Sequence, residues 1–117
     1  MIIAATPINP PEGDKYWRFH FINDSPEPVG SVVVESVDYE WGDQGNSETV
    51  GTRFGPVAPG ASVELLNETD TEVRTSLMLL VDGRRIVAEF GKLYAAPGRL
   101  LPIPVLDRPG KRATLEG

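Results

Sequence analysis

Apolar and polar positions alternate along this chain in short runs, and Gly, Pro, Asn and Asp separate the runs. Lys15 to Ile22 is the clearest case. Trp17, Phe19 and Phe21 share one parity and Arg18 and His20 the other, the period of two of a half-buried strand. Residues 2–8 form a weaker first strand, and Asn9 to Asp14 and Asn23 to Pro28 act as breaks around the second. Ser31 to Trp41 is the longest candidate, and its phase is mixed. Val32 and Val34 share one parity, while Val37, Tyr39 and Trp41 share the other. A bulge near Glu35-Ser36 would bring both sets to one side; a central strand with apolar contact on both faces is the alternative.

Gly42 to Ser47 reads as the following hairpin loop, and Thr49 to Phe54 returns with Val50, Thr52 and Phe54 in phase. Ser62 to Leu66 is a short strand after a Pro-Gly connection. Val73 to Val81 and Arg84 to Leu93 flank Asp82-Gly83, a pair suited to a type I′ turn because both residues tolerate positive φ. Leu77 to Val81 is apolar on both parities, so this strand is expected to be central and covered on both faces. In Leu100 to Leu106, Pro102 and Pro104 lack ladder donors on one side, which suits an edge strand or an extended arm.

About seven strands with turns every 8–12 residues predict an all-β domain of two packed antiparallel sheets. The expected division is a β-sandwich over residues 1–98. Residues 99–117 would be a C-terminal arm or extra edge strand, packed on the same or a neighbouring subunit. The strand count and turn spacing resemble the immunoglobulin-like and fibronectin type III sandwiches, and Trp41 falls on the third strand, where immunoglobulin domains often bury a tryptophan. The likeness is one of architecture. The chain has no cysteine pair and no Tyr at the start of the sixth strand.

Composition narrows the chemistry. The chain of 117 residues has no cysteine, so disulfides, thiol catalysis and thiolate metal sites are excluded. Its net charge is −6, with 7 basic and 15 acidic side chains in residues 1–98 and 4 and 2 in residues 99–117. That balance argues against binding a nucleic-acid backbone. No run approaches the ~20 apolar residues of a membrane span. The N-terminal stretch lacks a signal peptide's basic region, so a cytoplasmic location is expected.

Candidate catalytic groups are few. His20 is the lone histidine, and its parity places it opposite the aromatic face, towards solvent or a sheet surface. Asp38, Glu40, Asp43 and Glu48 form one acidic cluster and Glu64, Glu68, Asp70 and Glu72 another, but neither follows the ligand order of a calcium loop. Asn67-Glu68-Thr69 fits both a glycosylation acceptor and a plain polar turn. No enzyme, cofactor or metal site is expected. The expected function is a non-catalytic protein-interaction or assembly module that self-associates or binds another protein. Its candidate surface is Tyr16 with Leu100, Leu101, Ile103, Val105 and Leu106 of the arm. The alternative is a small-ligand or carbohydrate-binding domain using Tyr16, Tyr39, Trp41 and Tyr94 as an aromatic platform.

Overall fold

Among the described residues of the computed structural model the alternation resolves into ten strands: β1 (Ile2–Pro7), β2 (Trp17–Ile22), β3 (Val32–Trp41), β4 (Gln44–Phe54), β5 (Ser62–Glu68), β6 (Arg74–Val81), β7 (Arg84–Lys92), β8 (Leu101–Ile103), β9 (Arg108–Arg112) and β10 (Thr114–Glu116). The structure describes residues 1–7, 17–41, 44–68, 74–92 and 100–117, the side chains of Trp41, Asn67, Glu68 and Lys92 aside. Among the described residues no helix is long and apolar enough to cross a membrane.

Two antiparallel five-stranded sheets result, in the orders β5-β2-β1-β9-β8 and β10-β7-β6-β3-β4. The first seven strands divide much as in an immunoglobulin domain, where strands one, two, four and five face strands three, six and seven. The difference is the fourth strand: β4 pairs with β3 in the second sheet. One core lies between the sheets. Trp17, Phe19 and Phe21 from β2 meet Leu77 and Leu79 from β6 and Ile86, Ala88 and Phe90 from β7. Phe19 and Phe90 pack edge to face, with ring centroids 5.1 Å apart.

The mixed phase of the third strand has a local cause. Glu35 has no paired residue in either neighbouring ladder, and the register shifts there against both β4 and β6. This bulge turns Val32, Val34, Val37 and Tyr39 all into the core. The Asp82-Gly83 turn forms as its sequence predicts, with φ of 50° and 79°.

Two expectations about boundaries change. Gln44 to Ser47 are strand residues, so the segment between β3 and β4 shrinks to Gly42-Asp43, which lies outside the described residues. The C-terminal segment adds three strands, so the strand count exceeds seven. β8 is an edge strand, as its prolines suggest, and β9 pairs with β1 at Ala4↔Arg112 and Ala5↔Lys111. At Ala113, whose N–H donates to Ile3 O at 2.8 Å, the chain leaves the first sheet, and β10 then joins β7 in the second. Residues 100–117 thus tie the two sheets of their own chain together. Gly110 permits the close approach of β9 to β1, since a Cβ there would lie 2.5 Å from Ala5 O and 2.9 Å from Ile103 Cγ1.

Candidate functional site

A β-sandwich has two outer faces, and this one treats them differently. On the first sheet, Ile2, Ala4 and Ile22 point away from the main core. Ile103 seals them, fully buried, with Leu106 packed against the same cluster. β1 is apolar on both parities for this reason: one parity fills the main core and the other needs the C-terminal hairpin.

On the second sheet, the strand register lines outer-face residues into rows. Arg53, Val33, Leu80 and Arg85 form one row across β4, β3, β6 and β7. Thr49, Ser36, Met78, Val87 and, on β10, Glu116 form the next, and Ser47, Asp38, Ser76, Glu89 and Thr114 the third. Val33, Met78, Leu80 and Val87 remain partly exposed, and none packs on either buried cluster. The expectation that Leu77 to Val81 is covered on both faces therefore holds for the inner parity alone. Arg53 and Arg85 thus flank Val33 and Leu80 in the first row, Met78 and Val87 lie in the middle row, and Asp38 and Glu89 lie in the third. Arg85 also lies 3.6 Å from Glu35 at the bulge.

Two open hollows flank Glu40 at the acidic end. One, of about 510 Å³, is lined by Asp38, Glu40 and residues 44–47; the other, of about 350 Å³, by Glu40, Arg74, Ser76, Glu89 and Thr114. Ser47 Oγ donates to Asp38 Oδ1 at 2.5 Å. Glu48 faces the opposite side, because it pairs with Val37, whose side chain is in the core. Among the described residues no group of three or more carboxylates and histidines gathers to hold a metal ion. Asp43, Asp70 and Glu72 lie outside the described residues, as does the Thr of the Asn67-Glu68-Thr69 triplet.

The sequence-predicted surface is not brought together. Ile103 is buried, Leu100 packs on the main core and Leu106 on the smaller cluster. Of the surface's described residues, Leu101 and Val105 are the largely exposed ones, at 68% and 49%. Tyr16 and Tyr94 lie outside the described residues, and Tyr39 is in the core, not on a platform.

His20 lies opposite the aromatic face, as its parity predicts, but not open to solvent. It is buried, with Nε2 2.8 Å from Thr6 Oγ1, because the C-terminal hairpin covers this side of the first sheet. Glu64 stands opposite His20 on β5, but Arg18 Nε lies 3.2 Å from the Glu64 carboxylate. That contact is a charge pair without hydrogen-bond alignment. A hydroxyl, an imidazole and a carboxylate thus adjoin, but Thr6 is 1% exposed and no substrate reaches its hydroxyl while the hairpin is in place.

Burial lowers the His20 pKa from its ordinary 6.5; Glu64 opposes this and Arg18 and Arg108 reinforce it. The folded protein therefore resists protonating His20 more than the unfolded chain does. Stability from this group is complete above pH 6.5 and is lost as pH falls below it, by at most about 1.4 kcal/mol per pH unit. Urea unfolding of the wild type should weaken between pH 6.5 and 5, above the range where carboxylates titrate. His20→Gln should flatten that slope, and an unchanged slope would assign it to other groups.

The outer-face residues had a signal in the sequence: apolar runs on both parities at Val32 to Val34 and Leu77 to Val81. No family model, no curated protein and no solved structure matches this chain.

Proposed function

We propose that this chain is a non-catalytic protein-interaction module whose recognition surface is the outer face of its second sheet. The observation that supports this is the contrast between the two outer faces. The chain spends its own C-terminal hairpin on sealing one apolar outer face and leaves Val33, Met78, Leu80 and Val87 partly exposed on the other. Partly exposed apolar residues rimmed by charges are a common composition for a protein contact surface.

The test is retention of partners by immobilised protein from lysate of the source cells. Proteins held by the wild type should also be held by Leu101→Asp, which alters the far end of the other sheet. They should be lost from Met78→Asp/Leu80→Asp, with circular dichroism confirming that each variant is folded. Equal retention by all three proteins would contradict the proposal.

A further inference from the structure

We propose that β8, β9 and Ala113 form a strap that lifts from β1 when His20 takes up a proton, uncovering Ile2, Ala4 and Ile22. His20 lies beneath this strap. It is buried on the outer side of the first sheet, with Nε2 2.8 Å from Thr6 Oγ1. Ala4, its partner across the β1–β2 ladder, belongs to the cluster that Ile103 seals. Gly110 of β9 passes so close to Thr6 that a Cβ there would lie 3.0 Å from Thr6 Cγ2.

The strap is lightly attached. β8 pairs with β9 alone, and β9 pairs with β1 at Ala4↔Arg112 and Ala5↔Lys111. The bond from Ala113 N–H to Ile3 O and the apolar contacts of Ile103 and Leu106 complete the attachment to this face. Lifting it leaves the β1–β2 ladder and the pairing of β10 with β7 intact. A local opening of this kind costs less than unfolding the whole sandwich.

The charges around His20 divide into those that stay and those that leave with the strap. Glu64 faces it from β5 and Arg18 from its own strand, and both stay. β1 presents only the neutral Ala4 and Thr6. Arg108 stands opposite Ile103 on the strap, and its charge opposes a proton on His20. The other strap cations turn elsewhere: Lys111 Nζ would lie 3.1 Å from a Cβ at Gly91, and the charge of Arg112 acts on Asp24. Lifting the strap therefore admits water to the imidazole and withdraws Arg108, while Glu64 remains. His20 binds its proton more tightly with the strap open than closed, so falling pH shifts the population towards the open form. The shift begins below the ordinary histidine value of 6.5 and reaches at most about tenfold per pH unit.

Amide hydrogen exchange on the full chain, followed by NMR and normalised to the rate of an unprotected amide at each pH, tests the proposal. Ala113 should exchange through an opening that leaves Leu77 of the central strand β6 protected. Its protection should fall by up to about tenfold per pH unit between pH 6.5 and 5. In His20→Gln, whose side-chain amide can still bond to Thr6, that protection should not change over the same range. Arg108→Gln should make the fall shallower. Protection of Ala113 equal to that of Leu77 would mean that the strap opens only with the whole fold, and would overturn the proposal. So would a fall in His20→Gln as steep as in the wild type. If His20→Gln already leaves Ala113 unprotected above pH 6.5, Arg108→Gln decides: a shallower fall supports the strap, and an unchanged one overturns it.

Discussion

Ile103→Ala is expected to destabilise the fold by about 2–5 kcal/mol in urea unfolding, and Ile103→Asp by at least as much, since a lone carboxylate would be buried there. Leu101→Asp, two residues earlier, should change stability by no more than about 0.5 kcal/mol. The two positions share an apolar stretch of the sequence and differ in what surrounds them. Ile103 is 1% exposed, enclosed by Ile2, Ala4 and Ile22, while Leu101 projects into solvent at the sheet edge. Such a small cluster has few side chains able to close over the lost volume, which pushes the loss towards the upper end of the range. The effect should be independent of protein concentration, because the residues that Ile103 covers belong to its own chain. A concentration-dependent loss would mean that the hairpin is lent to another subunit.

Asn23→Ala is expected to cost about 2–3 kcal/mol, a large effect for a polar residue in a loop. Asn23 is 1% exposed and every polar atom of its side chain is engaged. Its Nδ2 donates to Glu27 O at 2.8 Å and Val57 O at 3.0 Å, and its Oδ1 accepts from Ser25 N at 3.1 Å and Ser25 Oγ at 2.7 Å. Its backbone adds bonds with Ala61 O and Gly60 N. Asn23 thereby joins two of the segments that pass between the sheets, the one from β2 to β3 and the one from β4 to β5, which also meet at the Val29↔Val57 bridge. Asn23→Asp should be no better than Asn23→Ala, since a carboxylate has no proton to donate to the two carbonyls. Thermal unfolding of the two variants checks both statements, and a stability within about 0.5 kcal/mol of the wild type would contradict them.

These residues mark where the sequence is legible and where it is not. Period-two alternation identifies β2, and Asp82-Gly83 identifies the β6–β7 hairpin, because both features are local. The Glu35 bulge is legible as well, since a change of apolar phase within one strand has few structural causes. β4 is half hidden: Gln44 to Ser47 are strand residues exposed on both faces, so nothing in their pattern separates them from a loop. Asn23 reads as a strand breaker, and its burial comes from a segment more than thirty positions away in the chain.

The two outer faces are the most instructive case. Ile2 to Ala5 and Leu77 to Val81 carry the same signal, apolar on both parities, and both strands are central in their sheets. One is covered on its outer side by Ile103 and Leu106, and the other keeps Met78 and Leu80 partly exposed. Parity says that a face is apolar; the long-range path of residues 100–117 decides which face is sealed. The same path explains His20, whose parity matches that of a solvent-facing residue until the hairpin lies over it. It also explains why the residues first singled out for interaction, Leu100, Ile103 and Leu106, are engaged within the chain.

Carbene footprinting of the protein across a range of concentrations tests the central contrast most directly. In dilute solution Met78 and Leu80 should label strongly. Ile2, Ala4, Ile22 and Ile103 should stay protected at every concentration. Labelling of Ile22 and Ile103 in dilute protein, with Met78 and Leu80 protected, would contradict the account.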